Sequence, residues 1–345
     1  MGWSRIIEHE GVVARFRETL GRGRLSHAYL FVGPDGIGKE LFALELAKAV
    51  QCANGPAEAC DRCPACQKTE HGNHPDVTFL RRVTQGAKGE RRAQILIGQV
   101  REAIQEPIAY KPFEGRYKVF AVVEAERMTE EAQNCLLKTL EEPPPHSLLV
   151  LLASRLEPFV DTVVSRCQIV RFRPLRDEQA ARILVDGHGL EPARAAALAR
   201  LAAGSPGKAL HYQATGAHDA ALWLLGELGR MQPGGEFALA AALLDKARER
   251  GSSLEDARDH LRPVLDLVAL GWRDVLLRAS GYTGLPLAWG EGCEALNALA
   301  AALAPQAARK LLSQTLEARD RVDANANIRL LLETWLLETA ALLKR

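Results

Sequence analysis

Ala28-Tyr29-Leu30-Phe31-Val32 is a short apolar run that stops at Gly33-Pro34-Asp35-Gly36-Ile37-Gly38-Lys39, after which Leu41, Phe42, Leu44, Ala47 and Val50 recur with helical spacing. Strand, glycine loop and helix in direct succession leave few folds open. Gly33-x-x-x-x-Gly38-Lys39 has the spacing of a phosphate loop. In such a loop, glycines let backbone N–H groups converge on phosphate oxygens. The helix N-terminus adds partial positive charge, and Lys39 reaches the outer phosphates. Gly33, Gly36, Gly38 and Lys39 are therefore candidate ATP or ADP contacts. Position 40 departs from the pattern, which asks for a Ser or Thr that ligates magnesium. Glu40 stands there instead, a longer and charged side chain set against the phosphates.

Further apolar runs at Lys118–Val123 and Leu148–Ala153, and a shorter one at Cys167–Phe172, read as buried strands. Between the first two, Thr129 caps a helix whose Ala132, Leu136, Leu137 and Leu140 share one face, and Glu141-Glu142-Pro143-Pro144-Pro145 ends it. Continuous apolar strands alternating with helices predict a parallel sheet covered on both faces. The strand from Lys118 closes on Val123-Glu124-Ala125-Glu126, where a nucleotide hydrolase places its acidic residues. In the common Asp-Glu arrangement Val123 takes the place of the magnesium-binding Asp and Glu124 that of the catalytic glutamate. Shifted by one position, Glu124 is itself the metal ligand. With Glu40, this makes two departures at independent points of one site, and both point to loss of hydrolysis.

Seven cysteines are unevenly placed, with Cys52, Cys60, Cys63 and Cys66 inside 15 positions. Two overlapping C-x-x-C steps bring three sulfurs together, and Cys52 at a helix end closes a tetrahedron that suits zinc, with His71 or His74 as an alternative to one ligand. Four thiolates leave no open coordination position, so the expected zinc is structural, in a small knob over about 52–66 inserted after the loop's helix. Clustered thiols of this kind read as a metal site in a reducing compartment. The chain start lacks a hydrophobic signal core and no apolar run approaches the roughly 18 to 20 residues that span a bilayer, so the expectation is a cytoplasmic protein without a membrane partner.

From Arg173-Pro174-Leu175 onward the pattern is helical, with short helices at 177–187 and 192–203, a Gly204-Ser205-Pro206-Gly207 break and a linker-like Thr215-Gly216-Ala217-His218. The last element carries Ile328, Leu331, Leu332, Trp335 and Leu336 on one stripe. The predicted domains are 1–172, 173–215 and 216–345. Lys plus Arg number 44 against 43 Asp plus Glu, a net charge of +1, which excludes a uniformly basic DNA-coating protein but not a local patch. Arg81, Arg82, Lys88, Arg91 and Arg92, against Glu90, read as a solvated flexible loop, with phosphate contact as the lesser alternative. Arg166 in Ser165-Arg166-Cys167, and Lys208 after the glycine-proline break, are ordinary residues when taken alone.

The order of these motifs is more specific than any one of them. Phosphate loop, four-cysteine insertion, acidic strand, Leu136-Leu137-Lys138-Thr139-Leu140-Glu141-Glu142-Pro143-Pro144 and Ser165-Arg166-Cys167 together resemble bacterial clamp-loader subunits of the AAA+ class, within it the delta-prime type. Arg24–Phe31, Tyr117-Lys118-Val119, Gly204–Leu210 and Asn325-Ala326-Asn327 strengthen the resemblance, which is dense over 24–210 and thin over 216–345. It implies an α/β RecA-like AAA+ domain with a parallel sheet, a small helical lid domain and an all-helical C-terminal collar domain. It also implies a pentameric ring with gamma or tau and delta subunits that sets the beta sliding clamp on primed DNA. In that setting Arg166 is an arginine finger acting in trans on a neighbour's ATP. Lys208 lies near the nucleotide-sensing arginine of motor subunits, and Ser154 near the polar residue after the third strand. The departures at Glu40 and Val123, and an end at Arg345 without tau's extension, favour the non-hydrolysing type over a gamma-like motor. A stand-alone zinc-bearing nucleotide-binding scaffold is the remaining reading.

Overall fold

The computed structural model describes residues 2–55, 57–82, 94–249, 254–323 and 326–343. Lys88, Glu90, Arg91 and Arg92 of the basic run, and Asn325, lie outside these residues. Two compact units make up the chain, Met1–Leu175 and Arg176–Arg345.

In the first unit a 3-10 turn (Gly2–Arg5) and α1 (Glu10–Gly21) precede β1 (Ala28–Val32), and α2 (Lys39–Gln51) follows the glycine loop. Next come α3 (Pro64–Glu70), β2 (Val77–Leu80), and α4 (Ile97–Val100) and α5 (Glu106–Ile108) joined by a π turn over Arg101–Gln105. The unit is completed by β3 (Lys118–Val122), α6 (Glu130–Glu141), β4 (Ser147–Ala153), α7 (Asp161–Val164) and β5 (Gln168–Arg171). The five strands form one parallel sheet in the order β2-β3-β4-β1-β5. Every residue of β1 and β4 is buried, as expected of interior strands in a sheet with both faces covered.

The period of two along β1 sorts its side chains between two cores. Ala28, Leu30 and Val32 join the aliphatic core with Ile104, Val122, Leu136 and Leu151. Tyr29 and Phe31 point the other way, where Phe42 of α2 meets Phe31, Phe16, Trp3 and Phe172 at ring-centroid distances of 5.5, 5.1, 4.9 and 5.2 Å. Aromatics are only 6% of the chain, yet this cluster packs the helix after the glycine loop against the sheet.

β2 was not anticipated. It has four residues at the sheet edge, and only Leu80 is buried, so its apolar pattern is too short and too weak to stand out. The loop entering β3 is held by Asp76, whose carboxylate accepts the backbone N–H groups of Phe113, Glu114 and Gly115 at 2.6, 2.9 and 2.7 Å. Burial works against the Asp76 charge, but the three donors outweigh it and hold its pKa below the ordinary value. A depressed folded-state pKa contributes stability that is complete above the unfolded pKa and lost as pH falls through the folded one. Asp76→Ala is expected to cost about 3 kcal/mol at neutral pH. Chemical denaturation should show that cost shrinking below about pH 4.

The second unit is helical throughout its described residues: α8 (Asp177–His188), α9 (Pro192–Leu201), α10 (Pro206–Thr215), α11 (Ala217–Arg230), α12 (Glu236–Arg248), α13 (Leu254–Ala279), α14 (Glu294–Ala302), α15 (Pro305–Asp323) and α16 (Ile328–Leu343). The expected linker at 215–218 is a single residue. Gly216, at φ 64°, ends α10 and caps α11, so the weak periodicity there reflects small side chains rather than loose chain. Ile328, Leu331, Leu332, Trp335 and Leu336 of α16 are all buried, and Trp335 Nε1 donates to Thr315 Oγ1 at 3.2 Å. No helix among the described residues is long and apolar enough to cross a membrane.

Candidate nucleotide cleft, arginine and metal centre

The glycine loop leaves the carboxyl end of β1, between β4 and β5, where ligands of open α/β sheets bind. Gly33 N donates to the Ala153 carbonyl at 3.1 Å, and a side chain at Gly33 would run into the Phe172 carbonyl. Gly36 and Gly38 have φ of 73° and 99°, backbone that favours glycine, and Gly38 is the N-cap of α2. Asp35, Gly36, Gly38, Lys39, Glu40, Val123, Glu124 and Leu152 line one open cleft of about 380 Å³. Folding thus brings together the two motifs that the sequence placed more than 80 residues apart.

The charged side chains of the cleft are engaged with one another and with the loop backbone. Lys39 is buried and turned onto its own loop, donating to the carbonyls of Gly33 and Pro34, with Asp35 3.6 Å away. Burial pushes its pKa down against the pull of Asp35 and Glu126. Glu40 is paired with Arg81 just beyond β2 rather than directed at the loop. Glu124, at φ 54°, lies 3.2 Å from Arg82 Nε. The carboxylate partners of Arg81 and Arg82 are distant in sequence, so a charge run read locally does not reveal them.

Ser154 follows β4, and its backbone N donates to Glu126 Oε1 at 3.1 Å while its hydroxyl contacts the same oxygen. Glu126 also acts on the charge of Lys39, a link the sequence did not assign. Its position two residues after Glu124 was the available signal, because the 3-10 turn Ala125–Arg127 carries it back toward the end of β4. Lys208 belongs to the second unit. It is the third residue of α10, its backbone N donates to the Ser205 cap at 3.2 Å, and its ammonium lies 5.4 Å from the Tyr212 ring centre.

Arg166 stands between α7 and β5 with its side chain about one third exposed. Nη2 lies 2.7 Å from Glu141 Oε1, and Nη1 donates to the Thr162 carbonyl at 2.9 Å. Cys167 turns inward to the aliphatic core, where burial pushes its thiol up to about 12. One residue of the Ser-Arg-Cys triplet thus anchors the loop and its neighbour is left at the surface.

The sulfurs of Cys52, Cys60, Cys63 and Cys66 all lie within 4.8 Å of one another. Tetrahedral zinc with bonds of about 2.3 Å needs sulfurs about 3.8 Å apart, so the set fits a zinc ion. Cys52 ends α2 and Cys66 lies in α3, both fully buried. Backbone N–H groups of Arg62 and Cys63 hold the Cys60 thiol down to about 6, which favours the thiolate a metal needs, while burial pushes Cys66 up. His71 Nδ1 bonds the Gln67 carbonyl at 2.7 Å and His74 Nδ1 accepts Asp76 N at 3.1 Å, so both histidines have other partners. Beneath the cluster, Lys48 of α2 meets Asp61, Glu70 at 2.8 Å and Glu45 at 3.1 Å. Burial opposes the Lys48 charge, but these carboxylates outweigh it and raise its pKa. The same α2 therefore carries Lys39 of the glycine loop at one end and Cys52 of the quartet at the other.

A family model described as DNA polymerase III, delta subunit, matches residues 8–176. The DNA polymerase III subunit delta' of Bacillus subtilis is 29% identical over 353 aligned residues, covering 98% of each chain. The gamma subunit of Buchnera aphidicola is 33% identical over 180 residues, 52% of this chain and 47% of that one. Among solved structures, a gamma subunit-related protein of Thermotoga maritima superposes with a TM-score of 0.50 at 18% identity, covering 95% of this chain and 100% of that one, a likeness of fold alone. With a five-stranded parallel sheet, a glycine loop after β1 and a helical second unit, the chain belongs to the clamp-loader subunit family of DNA polymerase III.

Proposed function

We propose that this chain is a delta-prime-type clamp-loader subunit, a cytoplasmic ring component that does not itself hydrolyse ATP. In this reading it assembles with gamma or tau and delta subunits to set the beta sliding clamp on primed DNA, and it presents Arg166 to a neighbour's ATP. The observation that carries the reading is the ion pair of Glu40 with Arg81. The residue at the magnesium-ligand position is a carboxylate engaged elsewhere, while Val123 puts an aliphatic side chain where the second ligand belongs. Whole-length similarity to a delta' subunit supports the same assignment. In this reading residues 173–215 serve as a lid and 216–345 as a collar, and zinc on Cys52, Cys60, Cys63 and Cys66 is structural.

A gamma-like motor is the second reading, favoured by Glu124 sharing the cleft with Lys39. Magnesium-dependent ATP turnover separates the two. The purified chain is expected to hydrolyse no more ATP than its Lys39→Ala variant, and a clear Lys39-dependent rate would transfer the assignment to the motor. Co-purification with gamma or tau and delta distinguishes both from a stand-alone scaffold.

A further inference from the structure

The partners of Arg166 in the lone chain bear on how it becomes available. Its guanidinium is held at three points: Glu141 Oε1 at 2.7 Å, the Thr162 carbonyl at 2.9 Å and Ser165 Oγ at 3.4 Å. Only the first carries full charge. Glu141 is the last residue of α6, so its carboxylate stands at a helix C-terminus, where the macrodipole disfavours negative charge. A cation beside it relieves that repulsion. With side-chain exposures of 34% for Arg166 and 51% for Glu141, the pair is open to solvent and can exchange partners without unpacking the core.

We propose that Glu141 is a positioning residue that holds Arg166 on the chain's own surface until the γ-phosphate of a neighbour's ATP takes the place of the carboxylate. Carboxylate and phosphate offer the same kind of oxygen acceptors to a guanidinium, so the exchange keeps the charge-assisted hydrogen bond while changing its owner. The pair acts as a competitor of the neighbour's nucleotide. Its removal makes Arg166 easier to recruit, whereas its strengthening makes recruitment harder.

The inference rests on Arg166 acting in trans, and the test keeps the two ideas apart. ATP hydrolysis by the reconstituted complex is measured against ATP concentration, following the component that Arg166→Ala removes. Glu141→Gln keeps the side-chain shape and removes the charge. It is expected to lower the KM of that component about two- to fivefold, the range of an exposed ion pair, with kcat unchanged. Glu141→Asp retains the charge and is expected to move KM back toward the parent value. Raising salt should close the gap between Glu141→Gln and the parent. The Glu141→Gln effect should vanish in the Arg166→Ala background, where a merely structural role for Glu141 would persist. An unchanged or raised KM in Glu141→Gln, with Arg166→Ala still defective, overturns the positioning role and leaves the arginine finger standing. No loss of rate in Arg166→Ala overturns both.

Discussion

Arg166→Ala is expected to lower ATP hydrolysis at the facing site of the neighbouring subunit by about 10³-fold or more, with the chain itself still folded and incorporated. A guanidinium that reaches a transferring phosphoryl stabilises charge spread over its equatorial oxygens, and arginine fingers in other phosphohydrolases are worth roughly 10³ to 10⁵ in rate. The structural cost should be small, because the side chain is partly exposed and its one ion pair lies at the surface. Arg166→Lys should recover only part of the loss, since an ammonium cannot reproduce the planar fork. ATPase assays of the reconstituted complex, beside melting curves of the isolated chain, check both halves. Incorporation of the variant with an unaltered rate would remove Arg166 from the mechanism.

The second large effect concerns the metal. Protein purified without chelator is expected to carry about one zinc per chain by elemental analysis, and Cys63→Ser to lose most of it, with affinity reduced by about 100-fold or more. The four sulfurs are already gathered within 4.8 Å, and without a cation several thiolates would crowd one another in a partly buried site. The consequences should extend beyond the knob. Asp61 of the knob is bound to Lys48 and to the backbone N of Gly2, while Ala57 accepts from Trp3 Nε1 at 3.0 Å. Trp3 in turn packs on Phe42 in the core of the first unit. Hydrogen exchange should therefore show lost protection in Gly2–Arg5 and around Asp61 as well as at the cysteines. A chain that holds no zinc and keeps the same melting temperature in the presence of a strong chelator would rule out a tight structural site.

Much of the first unit was legible before folding because its signals are local. The run Ala28–Val32 coincides with β1, Thr129 caps α6 by accepting from Ala132 N, and the cysteine spacing brings the four sulfurs together. Each depends on residues close in sequence, where period, cap and spacing rules apply. β2 escaped because a four-residue edge strand with three half-buried side chains has almost no period to read. Glu126 escaped because only the turn after β3 reveals that it reaches Ser154.

What the sequence by itself determined is the glycine loop between strand and helix, the cysteine quartet, and the presence of Glu40 and Val123 at their positions, all of which are matters of residue identity at fixed local spacing. Only the tertiary structure decided which charges meet. Glu40 with Arg81 and Arg166 with Glu141 are pairs 41 and 25 positions apart, and Lys48 gathers acids from three segments. The physical reason is that an ion pair depends on distance in space and on desolvation, neither of which leaves a periodic trace along a chain.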